Sequence, residues 1–381
     1  MRESIFKKIW LSPPHMCGEE MKFVAEAFDS NWIAPLGPCV EGFEKDITDY
    51  LKINSCAALS SGTAALHLAL IMMDIRQDDY VICPSFTFSA SANPILYQKA
   101  IPVFVDSEME TWNMDPELLR ESIQYCLSKN KKPKAIILVH LYGMPAKMNE
   151  VFSIADEYNI PVIEDAAESL GSNYFDMPTG TRGIMGVLSF NGNKIITTSG
   201  GGALISNENA LVKQAKFLAT QARDEAIHYQ HSQIGYNYRL SNICAAIGRG
   251  QMTVINDRVK QRRKNYEYYR SALSPYPGIE FLSEPAGHFS NRWLTTCLVN
   301  EKIARTNTAK IRNALEQINI ETRPLWKPLH LQPVFQDFPA FLNGNSAALF
   351  SSGICLPSGS SLTENELERI CSTFIQTIQI P

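Results

Sequence analysis

Short runs of apolar residues alternate with amphipathic stretches between about residue 50 and residue 210. Four of these runs are apolar almost throughout, which is typical of parallel strands that are buried on both faces. They are YVICPS (80–85), IPVFVD (101–106), KAIILVHLYG (134–143) and IPVIED (160–165). The segment MNEVFSIADEYN (148–159) lies between the last two runs and predicts a crossover helix. This alternation predicts an α/β fold with a mostly parallel sheet and helices on both of its faces.

Further elements extend the pattern on both sides of these strands. They are a helix in SSGTAALHLALIMMD (60–74) and two strands in GVLSF (186–190) and GGALISN (201–207). A long helical stretch then covers residues 239–273, and Gly248 and Gly250 permit a bend in it. Such a helix is suited to link a large domain to a smaller one.

The C-terminal part of the chain carries a different pattern. It contains an apolar strand over 292–299, a helix, the segment 320–330 and a final helix that begins near TENELER. Strands and helices in this order predict a smaller α+β domain. We therefore predict a large α/β domain over 1–250, which includes an N-terminal segment, and a small domain over 251–381.

The composition is that of an ordinary globular protein. Of 381 residues, 45% are hydrophobic and 19% are charged, and 35 basic against 39 acidic residues give a net charge of −4. Basic residues do not alternate with aromatic ones anywhere, so we expect no nucleic-acid partner. The densest basic run, KQRRK (260–264), is interpreted as a solvated helix face.

Nine scattered cysteines form no CxxC pair and no metal-ligand spacing, so we expect reduced thiols and no metal site. The first residues hold too short an apolar run for a signal peptide, and no stretch of about 18 apolar residues occurs. We therefore expect a soluble cytoplasmic protein that does not insert into a membrane.

The strongest chemical signal is Lys194, which small polar residues and glycines surround in SFNGNKIITTSGGG. Asp165 ends the predicted strand IPVIED, so its carboxylate should emerge at the carboxyl edge of the sheet. A lysine amine that faces such an acid suits pyridoxal phosphate (PLP). The amine forms an imine with the cofactor aldehyde, and the acid keeps the ring nitrogen protonated.

Residues Ser61, Gly62 and Thr63 lie at the start of a predicted helix, where free N–H groups and the helix dipole suit a phosphate. A simple helix cap is the alternative. A GxGxxG fingerprint and a Walker A lysine are both absent, which disfavours NAD and ATP. Ser189 is within reach of the same phosphate, or is a strand serine that bonds to the backbone.

Several other side chains follow strand ends. Phe88 stacks on a flat ring or joins the core, with Phe86 the weaker candidate for stacking. Glu168 reaches the phenolic edge of the ring or lies on the surface. We interpret His67 and His140 as structural. In GYNYRLSN (235–242), Asn237 and Arg239 are available to an anion, although capping alone would also explain Asn237.

Five segments, taken in order, resemble the successive motifs of the DegT/DnrJ/EryC1/StrS aminotransferases. They are SSGTAALHLAL, PSFTFSASANPI, VIEDAAESLG, SFNGNKIITTSGGG and GYNYRLSNICAAIGRGQM. Members of this family are PLP enzymes of the aspartate aminotransferase fold (fold type I) that place an amino group on a nucleotide-linked keto sugar. The flanking segments LSPPHM, NWIAPLGP, ETRPLWKPLH and GICLPSG most resemble the UDP-N-acetylbacillosamine transaminase branch.

The resemblance implies a role for each matching residue. Lys194 and Asp165 are catalytic, and Phe88 and Glu168 contact the cofactor ring. Gly62, Thr63 and Ser189 bind the phosphate, together with Asn237 from a neighbouring subunit, which implies a homodimer with composite sites. Nucleotide-sugar contacts come from the segment Asn31, Trp32, Ile33 and Ala34 and from Arg323, Trp326 and His330.

The reaction implied is transfer of an amino group from glutamate to C4 of a UDP-linked 4-keto-6-deoxy-N-acetylhexosamine, which supplies a UDP-4-amino sugar for surface glycans or protein glycosylation. Dehydratase members of the family have histidine where this chain has Lys194, so transamination is favoured. Alternatives are a 3-keto or dTDP-linked sugar, a PLP-dependent lyase or desulfurase, and a non-catalytic regulatory protein of the same fold.

Overall fold

The computed structural model describes residues 7–378, which form thirteen α-helices and fifteen β-strands. The strands are β1 (Ser55–Leu59), β2 (Tyr80–Pro84), β3 (Ile101–Val105), β4 (Ala135–Val139), β5 (Val162–Asp165), β6 (Asn173–Tyr174), β7 (Met177–Pro178), β8 (Met185–Ser189), β9 (Gly202–Ser206), β10 (Ile279–Phe281), β11 (His288–Phe289), β12 (Thr295–Val299), β13 (Arg323–Pro324), β14 (Ala340–Phe341) and β15 (Gly353–Leu356). The helices are α1 (Glu20–Asp29), α2 (Pro38–Leu51), α3 (Gly62–Met72), α4 (Asn93–Tyr97), α5 (Pro116–Ser128), α6 (Met148–Glu157), α7 (Asn209–Ala219), α8 (Asn242–Met252), α9 (Ile255–Leu273), α10 (Glu301–Ala304), α11 (Thr308–Gln317), α12 (Asn345–Ser352) and α13 (Glu364–Gln376).

The main sheet has eight strands in the order β1-β9-β8-β5-β4-β2-β3-β14. Only β9 runs antiparallel to its neighbours, which confirms the predicted mostly parallel sheet. Alternate residues of β4 pack on opposite faces: Ile137 joins the core that contains α3 and α7, whereas Ile136 and Leu138 join the core that contains α5 and α6. Both faces are therefore covered, and this explains why the strand is apolar at every position.

A second sheet, β10-β12-β15-β13, is antiparallel and lies wholly in the C-terminal part of the chain. Helices α9, α11 and α13 cover it and contribute Tyr269, Ile311 and Phe374 to a separate core. The chain is not cleanly divided, however, because β14 pairs with β3 of the main sheet and Ile9 pairs with Ile320. The domain limits 1–250 and 251–381 stay a prediction.

The long helix predicted over 239–273 is two helices. The side chain of Ser241 caps the start of α8, and the break lies between α8 and α9, after both glycines. Gly248 and Gly250 instead permit close packing. A Cβ at Gly248 would lie 2.7 Å from the ring of Phe43, and one at Gly250 would lie 2.7 Å from the Cα of Glu20. The bend predicted at the glycines is therefore wrong, and their role is to bring α8 against α2 and α1.

The basic run 260–264 is only in part the solvated face that the sequence predicts. Lys260 and Lys264 are exposed on α9, but Arg262 is just 1% exposed. Helix periodicity places Arg262 on the same side as Tyr266 and Tyr269, both of which are buried. Within residues 7–378, no helix has the length and apolar character needed to cross a membrane.

Candidate active site

A cavity of about 250 Å³ opens at the carboxyl edge of the main sheet, between the ends of β5 and β8 and the start of α3. This is where ligands bind in open α/β sheets. The structure brings eight of the predicted site residues together around it: Gly62, Thr63, Phe88, Asp165, Glu168, Ser189, Lys194 and Trp326.

Lys194 lies in the loop between β8 and β9 and points toward two groups. Its Nζ atom is 3.7 Å from Oε1 of Glu168 and 4.1 Å from the centroid of the Trp293 ring. The side chain is only 12% exposed. The carboxylate and the aromatic face therefore hold the amine inside the cavity, where few waters compete with a ligand.

Asp165 ends β5, and its carboxylate is held by two donors. The Oγ atom of Ser91 donates to Oδ2 at 2.7 Å, and the N–H of Ala167 donates to Oδ1 at 3.1 Å. Because Ser91 uses its only proton on Asp165, the hydroxyl of Thr87, 2.9 Å away, donates to Ser91 in turn. This chain of bonds fixes the orientation of a buried carboxylate that faces the cavity.

Glu168 is buried between the lysine and the aromatic wall of the cavity. Burial raises the pKa of its carboxyl group, although the charge of Lys194 and the N–H of Tyr142 act against that rise. The Tyr142 N–H donates to Oε2 at 2.7 Å. Tyr142 has a left-handed backbone (φ 53°) and stacks between Trp293 and Trp326, at 6.5 and 6.0 Å between ring centroids.

The start of α3 forms an anion cradle. Ser61 caps the helix through a 3.0 Å bond from the N–H of Ala64, and the predicted phosphate contact at this helix start stays a prediction. Gly62, Thr63 and Ser189 line the cavity beside it. The N–H groups of a first helical turn have no acceptor within the helix, and the helix dipole favours negative charge there.

These residues fit PLP. The cradle suits its phosphate, Asp165 suits its ring nitrogen, and Lys194 suits its aldehyde. Phe88 is 51% exposed and lies beside Trp326 at 5.3 Å, so a flat ring could lie against it, whereas Phe86 is buried in the core. The indole N–H of Trp326 is buried and faces the carboxyl group of Glu168, whose pKa it acts to lower.

A second cleft of about 720 Å³ adjoins this cavity and shares Asn193, Trp293 and Trp326 with it. Arg323, which was predicted to contact substrate, lines the cleft and pairs with Glu321 at 2.7 Å. His330 lines neither space. It bonds through Nδ1 to the hydroxyl of Ser85 at 2.7 Å, and its substrate role stays a prediction.

Two predicted groups lie away from both spaces. Asn237 is exposed in an extended segment and pairs with Thr220. The segment Asn31–Ala34 follows α1, and Asn242 holds it through bonds to the carbonyls of Trp32 (3.0 Å) and Ala34 (2.9 Å). Neither set contacts the cavity of its own chain in the region that the structure covers, and their binding roles stay predictions.

The remaining polar candidates have structural partners. His140 is fully buried and contacts Glu164 at 2.9 Å, and His67 packs among tyrosines, as their interpretation requires. Arg239 was predicted to be available to an anion, but it pairs with Glu44 at 3.0 Å. That prediction is therefore wrong for this chain.

Ser91, Tyr142 and Trp293 are site residues that the sequence reasoning missed. Ser91 lies in the polar run SASAN, whose closeness to Phe88 was the available signal. Tyr142 and Trp293 lie in segments that read as ordinary strand or strand end, and no local signal separates them from core aromatics.

Known proteins agree with this geometry. The DegT/DnrJ/EryC1/StrS aminotransferase family model matches residues 14–375. The protein EpsN of Bacillus subtilis (strain 168), provisionally named a pyridoxal phosphate-dependent aminotransferase, is 50% identical over 97% of this chain and 95% of its own length. The GDP-perosamine synthase of Escherichia coli O157:H7 is 35% identical over 96% of this chain and 98% of its own.

A solved structure gives the same answer for the fold and the cofactor. The protein Spr1654 of Streptococcus pneumoniae, provisionally named a sugar aminotransferase, was solved in its PLP form; it superposes with a TM-score of 0.87 at 25% identity, over 97% of this chain and 98% of that one. The predicted fold type and cofactor are confirmed. The chain belongs to the DegT/DnrJ/EryC1/StrS aminotransferase family and is a PLP-dependent sugar aminotransferase.

Proposed function

We propose that the enzyme transfers an amino group from glutamate to C4 of a UDP-linked 4-keto-6-deoxy-N-acetylhexosamine. The observation that supports a nucleotide sugar is the cleft of about 720 Å³ that opens from the catalytic cavity. A cleft of this volume is within the usual range for ligand sites and is larger than a keto sugar alone requires.

The lining of the cleft suits the nucleotide part of such a substrate. Lys327 provides positive charge for a diphosphate, and Arg323 lines the same cleft beside its partner Glu321. Trp10 is 55% exposed at the cleft and offers a flat face to a base. Trp326 lines both spaces, so it lies where the sugar would pass from the cleft to the amine of Lys194.

When bound, PLP supplies an aldehyde and a ring that accepts electrons from a deprotonated carbon. The chain supplies the proton transfers and the orientation. Lys194 Nζ is the base that removes a proton from the amino donor and returns one to the product. Asp165, held by Ser91, would hold the ring nitrogen of the cofactor and supply negative charge to it. Trp293 and Trp326 line the cavity and limit the access of water, and Tyr142 stacks between them.

The test is to incubate the purified enzyme with glutamate and separate keto sugars. A UDP-linked 4-keto-6-deoxy-N-acetylhexosamine should give an amino-sugar product by mass spectrometry, with 2-oxoglutarate formed in equal amount. A GDP-linked sugar is the second candidate, because the relatives named GDP-perosamine synthase are 33–35% identical to this chain. Faster turnover of GDP-, dTDP- or 3-keto substrates would refute the UDP-4-keto assignment, and absence of turnover with every sugar would favour a non-catalytic protein or another PLP reaction.

We also propose that the enzyme works in the cytoplasm as a homodimer in which Asn237 reaches the phosphate site of the partner subunit. The exposed position of Asn237, outside the cavity of its own chain, supports this arrangement. The Lys194→Ala and Asn237→Ala variants should each have reduced aminotransferase activity when they are assayed separately. After unfolding and refolding together, random pairing gives one intact site in half of the dimers, and activity should return to about a quarter of wild type. No recovery would place Asn237 in the site of its own subunit, and full activity of Asn237→Ala alone would place it outside both sites.

A further inference from the structure

Arg262 of α9 contacts the loop that carries the catalytic lysine. Its guanidinium donates to the carbonyl of Trp293 at 2.5 Å, to the hydroxyl of Ser12 at 3.0 Å and to the carbonyl of Lys194 at 3.4 Å. These three acceptors come from segments that are far apart in the sequence. One side chain therefore links three segments: the N-terminal segment at Ser12, the loop that carries Lys194, and the strand entry at Trp293.

The same partners also hold the peptide on the other side of Lys194. The Ser12 hydroxyl and the Trp293 indole N–H both donate to the carbonyl of Asn193, each at 2.6 Å. The carbonyls before and after the lysine are thus fixed by donors that Arg262 itself orients. We call Arg262, Ser12 and Trp293 the clamp. Since the Trp293 ring lies 4.1 Å from Nζ of Lys194, the clamp fixes both the backbone of Lys194 and the position of its amine.

Fold stability does not account for a charge at this place. Among the described residues no carboxylate pairs with Arg262, its acceptors are all uncharged, and its Nε atom has no acceptor. Burial, together with the charge of Arg258, lowers its pKa to about 9, so the guanidinium is still charged at neutral pH. A buried charge of this kind costs solvation energy, and an apolar side chain of similar volume is often as stable or more so.

We propose that Arg262 is a positioning residue that fixes Lys194 and Trp293 in the geometry needed for proton transfer. This inference rests on the role proposed above for Lys194. Arginine suits the task because its planar fork can bond three acceptors in fixed directions, which a lysine ammonium on a flexible stem cannot do.

The test compares Arg262→Lys and Arg262→Met with Lys264→Met, a control on the same helix that loses only an exposed ion pair with Glu364. Both Arg262 variants should lower kcat by about 10- to 100-fold. KM for each substrate should stay within about 2-fold, because the binding contacts are intact. The control should keep the wild-type kcat.

A second readout uses the protein without cofactor. Hydrogen exchange followed by mass spectrometry should show faster exchange in the peptide spanning 190–198 of Arg262→Lys, with the β4 peptide unchanged. Faster exchange throughout the chain would mean a general structural role and would overturn the proposal, as would a kcat equal to that of the control. If borohydride reduction of the loaded wild type marks a lysine other than Lys194, the proposed catalytic role fails, while the exchange result still reports on the clamp alone.

Discussion

Gly62→Ala tests the phosphate cradle with the smallest possible change. A Cβ added at Gly62 would lie 3.1 Å from the Cβ of Ser189 and 3.3 Å from the carbonyl oxygen of Leu188. Carbon atoms in contact normally lie about 3.5–4.0 Å apart. The start of α3 and the end of β8 must therefore move apart by a few tenths of an ångström, between two residues predicted to bind the same phosphate.

The two effects of this change on stability oppose each other, with a net cost of about 0–3 kcal/mol. Overpacking costs about 1–3 kcal/mol, whereas replacing glycine by alanine in a helix gains up to about 1 kcal/mol. Ligand binding has no such compensation. A hydrogen bond to a charged group is worth about 1.5–3 kcal/mol, so displacing one donor should weaken binding of PLP about 10- to 100-fold.

The assay is equilibrium binding of PLP and of pyridoxal, which lacks the phosphate, to the cofactor-free protein. Gly62→Ala should weaken only the binding of PLP, and Ser189→Ala, which removes a hydroxyl without adding bulk, should act in the same direction. If pyridoxal binding falls as much as PLP binding, the damage lies at the ring rather than at the phosphate. Unchanged PLP affinity in both variants would refute a phosphate site at α3.

Three further outcomes are expected. Lys194→Ala should reduce turnover by at least about 10²–10⁴-fold, and borohydride should no longer fix cofactor mass on its peptide; retained turnover would exclude the lysine as the catalytic base. Trp326→Phe, which keeps a ring but loses the indole N–H at the junction of the cavity and the cleft, should raise KM for the nucleotide sugar several-fold while the melting temperature is retained, and an unchanged KM would remove Trp326 from the substrate path. Burial alone would raise the pKa of Glu20, but bonds from the Cys17 N–H and the Gln251 side chain lower it to about 2. Its stabilisation is therefore present above pH 4.5 and is lost as the pH falls toward 2. Glu20→Gln should cost about 1–2 kcal/mol at pH 7 after allowance for screening and roughly half of that or less at pH 3 in denaturant titrations. An equal cost at both pH values would refute this assignment.

The sheet was predictable because its signal is local. Strands buried on both faces must be apolar at nearly every position, and β2 to β5 are therefore visible as short continuous runs. The break between α8 and α9 was not predictable in the same way. Gly248 and Gly250 offered an obvious place for it, but tertiary contacts with Phe43 and Glu20 use those glycines for close packing.

The site was predictable where topology alone brings residues together. Asp165 and Ser189 end strands, and Lys194 follows one, so the parallel sheet delivers all three to one edge. The residues that orient them were not predictable. Ser91 and Trp293 act through long-range contacts with Asp165 and Lys194, and such contacts leave no periodic trace in the sequence.

At Arg262 the helix periodicity predicts a buried side chain, whereas the charged residue type predicts an exposed one. By type, a run of five basic and polar residues indicates a solvated face; by position, Arg262 shares the helix face of Tyr266 and Tyr269, and the position decides its burial. A charged residue at an apolar position is costly, so its presence needs a reason other than packing. Here that reason is available in the three acceptors around Lys194. When periodicity and residue type conflict on a helix, the conflict itself indicates where to look for side chains that serve a site rather than the fold.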